Sequence, residues 1–238
     1  MIKEFLNLVI MRLKTAKAYI ASLIFFSVFF PIGLLLMMGS VARSSFSIYI
    51  IAGTITFYIA VSMINSVAQQ IGYERETGRI SLMISSGIPM QLSVLAIALC
   101  SGLQTIVVTP LMIFVGDAFL GITPLCIATL ALTLLLSLVL GSMLGAFLAF
   151  LIRSVRAINQ YSNILSFTLA FFAPVYYPPC VIPLPFRYLT YLEPTTYVSR
   201  AIYYSYLGQG LQALIWNLGI VIYSGVLIFG VTYLIKRQ

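Results

Sequence analysis

Apolar residues in this chain come in long blocks free of charge, and the charged positions are gathered into the short stretches between them. Charge-free sequence runs from Ala18 to Ala42, Ser44 to Ile71, Leu92 to Gly116, Pro124 to Ile152 and Leu211 to Ile235, while Ala157 to Phe172 begins a further block. A bilayer crossing takes about 20 predominantly apolar helical residues, so the pattern predicts an all-α, polytopic membrane protein of six transmembrane helices. Pro31 is expected to kink the first span, and Thr109 with Pro110 to break the third. Ahead of these blocks, residues 1–17 place Ile2, Phe5, Leu6, Val9, Ile10 and Leu13 at helical spacing among Lys3, Glu4, Arg12, Lys14 and Lys17. That spacing reads as an N-terminal interfacial helix.

Two connections depart from the plain alternation. Residues 173–210 hold six of the ten prolines, including Pro174, Pro178, Pro185 and Pro194, with Tyr176 and Tyr197 among many tyrosines. Prolines break helices and tyrosines favour the membrane–water boundary, which predicts an external re-entrant hairpin followed by an interfacial helix from near Pro194. Residues 73–91 instead bring Glu74, Arg75, Glu76 and Arg79 together, too much charge to sit in lipid. Thr77 is expected to cap a short helix there, with Ile80, Leu82, Met83 and Ile84 as its apolar surface and Gly87 and Pro89 as its stop. Glu74 and Glu76 are expected to anchor the turn on basic groups, Arg153 or Arg156 in the next connection on that side.

Composition agrees: 61% of residues are hydrophobic and 8% charged, against about 25% charged in ordinary soluble domains. The 238 residues read as a single membrane domain. The net charge of +8 is scattered between apolar runs and forms no tract of the kind that follows a nucleic-acid backbone. Its distribution sets topology instead. Ten Lys and Arg fall on the side of the two termini and the charged turn, and three (Arg43, Arg187 and Arg200) on the other. This bias predicts a cell-membrane protein with both termini and residues 73–91 in the cytoplasm.

Candidate chemistry is sparse. The chain has no histidine, the commonest general base and metal ligand, and Cys100, Cys126 and Cys180 are too scattered to frame a metal site. No catalytic or metal-binding residue is expected. The spans hold no Asp, Glu, His, Lys or Arg away from their ends, whereas secondary transporters use such groups to bind ions. No GxxxxGK[ST] loop is present to bind ATP, so energy for active transport has to arrive from another subunit. Polar residues of the second span, Thr56, Asn65 and Gln69 among them, have two readings: helix-to-helix hydrogen bonds or the lining of a path. Ser137, Gly141, Gly145 and Ala149 recur every fourth residue in the fourth span and predict close packing within the bundle.

The string Glu74-Arg75-Glu76-Thr77-Gly78-Arg79-Ile80-Ser81-Leu82-Met83-Ile84 resembles the E-[RK]-E-x-G-T-[LIF]-x-x-L stretch of the type-2 ATP-binding-cassette (ABC) membrane subunits. A second region, Ala173 to Pro178, Leu184-Pro185 and Leu192 to Tyr197, is similar to that family's S-G-x-x-[FY]-P, L-P and N-P-x-[TH] pattern before the last span. Arg79 stands where Thr is usual, Ala173 and Pro174 where Ser-Gly is, and Glu193 where Asn is. The resemblance implies the permease subunit of an ABC exporter, with ATP and Mg held by partner ATPase subunits and a second membrane subunit completing the path. It further implies that Glu74, Arg75, Glu76, Gly78 and Arg79 shape a coupling turn whose Ile80, Leu82 and Met83 dock on the ATPase. The expected solute is apolar or amphipathic: a drug, lipid or peptide, with a lipid-linked glycan as the runner-up. A passive channel or scaffold protein without ATP coupling is the alternative reading. A membrane enzyme is a third, weakened by the lack of any group to activate a nucleophile.

Overall fold

A computed structural model describes residues 9–10, 28–41, 46–173 and 175–237. In chain order its helices are α1 (Phe30–Val41), α2 (Ser47–Glu76), α3 (Arg79–Ser85), α4 (Met90–Leu120), α5 (Ile127–Leu151), α6 (Val155–Phe172), α7 (Phe186–Thr190), α8 (Pro194–Tyr206) and α9 (Gly210–Lys236). A 3-10 turn at Pro179–Val181 precedes α7, and no strand occurs among the described residues. By length and composition α2, α4, α5 and α9 are apolar enough to cross a membrane, which makes this a multi-pass membrane protein. Val9 and Ile10 are helical, but the remainder of the expected interfacial helix at 1–17, residues 18–27 of the expected first span, Arg43 and Pro174 lie outside the described residues.

The bundle is organised around α2. It packs against α5, α6, α4, α8 and α1, and its Ile51, Ile55, Met63, Ile64, Val67 and Ile71 are fully buried. Apolar helices gain little from burial when lipid is the alternative, so close fit has to hold them together. The small-residue stripe of α5 supplies that fit. A Cβ added at Gly141 would lie 2.7 Å from Cβ of Met63, and one at Gly145 would lie 2.7 Å from the carbonyl oxygen of Ile64. No larger residue fits either position. The stripe therefore seats α5 on α2, the packing expected from its spacing.

Several boundaries differ from expectation. α4 runs unbroken through Pro110: a proline removes one ladder bond, and apolar surroundings favour keeping the others. Asp117 accordingly lies in its last turn, where the N–H of Gly121 donates to the Asp117 carbonyl at 2.8 Å. Residues 28–29 are π-helical and pass into α1, which holds Pro31 in its first turn. The expected fourth span, α5, starts at Ile127 rather than Pro124, and Arg156 stands in the first turn of α6. The largest difference concerns α8. It begins at Pro194 as expected, with proline at the first helical position, but it does not lie free at an interface. Nine of its 13 residues are buried, because it crosses the bundle against α9, α2 and α5.

Candidate functional site

At one end of the bundle, α2 turns into α3. Thr77 ends α2 instead of capping α3: its hydroxyl donates back to the Tyr73 carbonyl at 2.9 Å. The cap position of α3 belongs to Gly78, whose φ of 70° is the left-handed conformation that a side chain resists. The far end of α3 closes as the sequence predicts. Gly87 has φ 78°, its N–H donates to Ile84 O and that of Ile88 to Met83 O, both at 3.0 Å, the paired bonds of a Schellman stop.

The charged residues of this turn have divided roles. Glu74 is only 1% exposed; Gln70 Nε2 donates to its Oε1 at 3.2 Å, and Ser93 Oγ at the start of α4 donates to its Oε2 at 3.5 Å. Arg75 reaches the α5–α6 connection, where Nη1 donates to Ile152 O at 2.9 Å and the guanidinium lies 5.8 Å from the Phe150 ring centre. Ile152 is the C-cap of α5, so its carbonyl is one of those a helix end leaves without an internal partner. Glu76 is exposed, and Arg79 lies over Tyr73 at 5.7 Å. Arg75 thus joins the turn to the next connection. Gln70 and Ser93 were absent from the sequence-based set. Gln70 could have been found from its i, i+4 spacing to Glu74.

The apolar residues of α3 split between two faces. Ile80 packs on the core cluster and Met83 is half-buried, its Sδ 3.5 Å from Ser93 Oγ. Leu82 and Ile84 point away and are 67% and 57% exposed. The helix is anchored on one side and open on the other.

A polar face lies along α2 and α6. Ser62, Asn65, Ser66 and Gln69 follow the i, i+3, i+4, i+7 spacing of one α2 stripe and all are half-buried. Asn65 Nδ2 donates to Ser166 Oγ of α6 at 3.3 Å, while its Oδ1 is buried with no hydrogen-bond partner. Asn159, Gln160 and Asn163 of α6 are exposed. Thr56 does not share this face. It is 2% exposed within the packed interior, and its hydroxyl donates to Ala52 O at 2.7 Å.

At the opposite end, the proline-rich segment is tied into the bundle by hydroxyls. Thr195 Oγ1 donates to Leu169 O and Thr196 Oγ1 to Thr190 O, both at 2.7 Å, and Ser199 Oγ donates to Val175 O at 3.3 Å. Tyr197 donates to Tyr191 O at 2.9 Å and sets its ring 5.5 Å from Trp216 and 5.4 Å from Tyr223. Half-buried Tyr176 lies against Gly53, and half-buried Pro178 caps the 3-10 turn. Pro185, before α7, is exposed; Pro194 is buried.

A comparison with curated proteins finds no match. The family model described as "ABC-2 type transporter" matches residues 6–207, which include both the α2–α3 turn and the proline-rich segment. The chain belongs to the ABC-2 type transporter family, as the membrane permease component of a type-2 ABC transporter.

Proposed function

We propose that this chain is the permease subunit of an ABC exporter in which α3 receives the stroke of a separate ATPase subunit. The observation that carries the reading is the two-faced α3: Ile80 and Met83 seat it, whereas Leu82 and Ile84 stand in the open beside a turn fixed by Glu74 and Arg75. Leaving an aliphatic side chain in water forgoes roughly 1.5–3 kcal/mol that burial would recover. An ATPase surface recovers it. Because Arg75 joins the turn to the end of α5, a push on α3 passes into two long helices at once. ATP and Mg belong to the partner, and this chain supplies no ATPase site.

Six spans complete the membrane domain when the first block, ending in α1, and the 18-residue α6 join the four long helices. Both termini and α3 face the cytoplasm on the evidence of the charge bias. The proline-rich segment forms an external hairpin that re-enters the bundle. Val175 O lies beside Gly53, six residues into α2, which is roughly 9 Å along the helix axis. The half-buried stripe of Asn65 and Gln69, together with exposed Asn159 and Asn163, is the wall of the path, closed by a second membrane subunit. Polar side chains at membrane depth turn toward protein or a water-filled cavity. The mixture of amides with Tyr161, Ile164 and Phe167 on the exposed side of α6 suits an amphipathic solute.

Leu82→Glu tests the coupling reading. The subunit is expected to insert and melt normally while the ATPase no longer copurifies; retained ATPase binding with solute-responsive hydrolysis would reject α3 as the contact. The exposed thiol of Cys180 tests topology. An impermeant thiol reagent applied outside is expected to modify it in intact cells, and modification only after the membrane is opened would reverse the orientation.

A further inference from the structure

α4 leans mainly on α2, touches α1 and α5 to a similar and smaller extent, and only grazes α9. The space left between α4, α5 and α9 is an almost wholly apolar cavity of about 530 Å³. Its walls include Leu99, Leu103 and Ile106 of α4, Leu138 of α5, and Val231 and Ile235 of α9. It lies on a different face from the polar stripe of α2 and α6. A Cβ placed on Gly102, which also lines it, would meet only a methyl of Leu138 at 3.8 Å, so the wall is open there. Gln91, in the first turn of α4, lies at one end. From Gln91 to Ile106 is fifteen helical steps, or roughly 22 Å, more than half of a hydrocarbon core about 30 Å thick. The cavity therefore covers the depth of one leaflet.

Its charge is placed at the Gln91 end. Ile235 lines the cavity and the next residue, Lys236, is exposed one turn beyond the lining Thr232, whereas Arg237 turns to another face of α9, its guanidinium 5.6 Å from the ring centre of Tyr233. The polar atoms of the lining face their own helices: Ser142 Oγ donates to Val139 O and Thr232 Oγ1 to Ile228 O, each at 2.8 Å. The walls thus ask for no hydrogen bonds and the mouth asks for an anion.

We propose that this cavity is a binding site for an anionic phospholipid of the leaflet on the α3 side, with an acyl chain between α4, α5 and α9 and the headgroup phosphate at Lys236. The bilayer presents such tails to any opening between two spanning helices, and the Lys236 ammonium selects the headgroup. The site is independent of ATP coupling. An occupied site wedges α4 against the rest of the bundle without touching the α2–α6 path.

The experiment uses the full chain in nanodiscs containing phosphatidylglycerol with a photoreactive diazirine in mid-chain, followed by peptide mapping of the adducts. Adducts are expected to concentrate at Leu99, Leu103 and Leu138 over Phe229, which is 76% exposed on α9 and outside the lining. Equal labelling of Phe229 and the lining residues would mean ordinary annular lipid and would overturn the site. Lys236→Gln is expected to reduce lining adducts about fivefold, with no change at Phe229, whereas Arg237→Gln, on the Tyr233 face, should leave the lining adducts unaltered. Phosphatidylcholine carrying the same diazirine should label the lining weakly in the unaltered chain. Equal labelling by the two lipids would overturn the anionic selectivity. Gly102→Trp, which fills the cavity, should abolish lining adducts selectively; the wild-type map and the charge variants decide the matter even where that variant folds poorly.

Discussion

The two ends of the bundle solve the same problem in opposite ways. At each, a polar segment interrupts apolar helices and must be held without lipid. α8 at the proline-rich end buries nine residues and is fixed by hydroxyls and rings that donate into neighbouring elements. α3 at the other end buries none and is held by the turn beside it, through Glu74 and Arg75. One end is part of the core. The other is a handle, stiff at its attachment and open on its outer surface. The proposed coupling through α3 uses this asymmetry, because coupled motion is drawn from the regions with the fewest buried contacts.

Alanine at one glycine of each end should break the comparison most sharply. At Gly53 an added Cβ would lie 2.6 Å from Val175 O and 2.9 Å from Val175 C, backbone atoms that cannot swing aside. Gly53→Ala is expected to cost about 3 kcal/mol, at the upper end of ordinary overpacking, and to appear as a large fall in melting temperature and folded yield. Gly78 meets nothing within 4 Å but has φ 70°, so Gly78→Ala should cost only about 1 kcal/mol of backbone strain. Its effect is expected in ATPase copurification more than in melting. Equal losses of stability from the two variants would show that the handle is as deeply built into the core as the hairpin.

How much of this was legible in the sequence depends on whether the cause was local. The Gly141–Gly145 stripe announced a close approach because only small residues permit one, though not that its partner would be Met63 and Ile64. Pro194 announced the start of α8 because proline suits a first turn. The burial of α8 was hidden: its tyrosines and threonines look interfacial until Leu169, Thr190 and Val175 supply their partners from elsewhere. Glu74 reads as an anchor for Arg153 or Arg156, and its bond from Ser93 was hidden for the same reason, since Ser93 lies nineteen positions away. Thr77 was misread for a different one. Threonine caps helices well, but the glycine after it takes the left-handed conformation that ends α2, and this leaves Thr77 inside the preceding helix's last turn.

Arg75 sharpens the comparison with a smaller expected effect. Its bond to Ile152 O and its position over Phe150 make it the tie between the handle and the body. A hydrogen bond from a charged group contributes about 1.5–3 kcal/mol, discounted here because the residue is only half-buried. Arg75→Gln is expected to cost about 1 kcal/mol of stability while uncoupling solute from ATP hydrolysis. Lysine, which keeps the charge but loses the planar fork, should restore stability better than coupling. Full coupling in Arg75→Gln would mean that Gly78 and Glu74 hold the turn by themselves.

The smallest effect belongs to Glu193, at the sealed end. It precedes α8, yet its side chain makes no bond to the first N–H groups of that helix, and one carboxyl oxygen is buried without a partner. Burial pushes the carboxyl up from 4.5 to about 7. A folded value above the unfolded one means that the native state holds the proton more tightly, so stability should fall as ionisation is forced on it. The contribution is complete below pH 4.5 and is lost as the pH rises through about 7. Half-burial keeps the slope shallow. Glu193→Asn places a good N-cap in the same backbone conformation, one that contributes about 0.5–1 kcal/mol more than a residue that does not cap, and it removes the titration. The melting temperature of the wild-type chain should therefore decline between pH 4.5 and about 7, and that of the variant should be higher at neutral pH and flatter across the window. A decline of equal steepness in the variant would assign the titration to another group and leave the hairpin's hold on the bundle independent of pH.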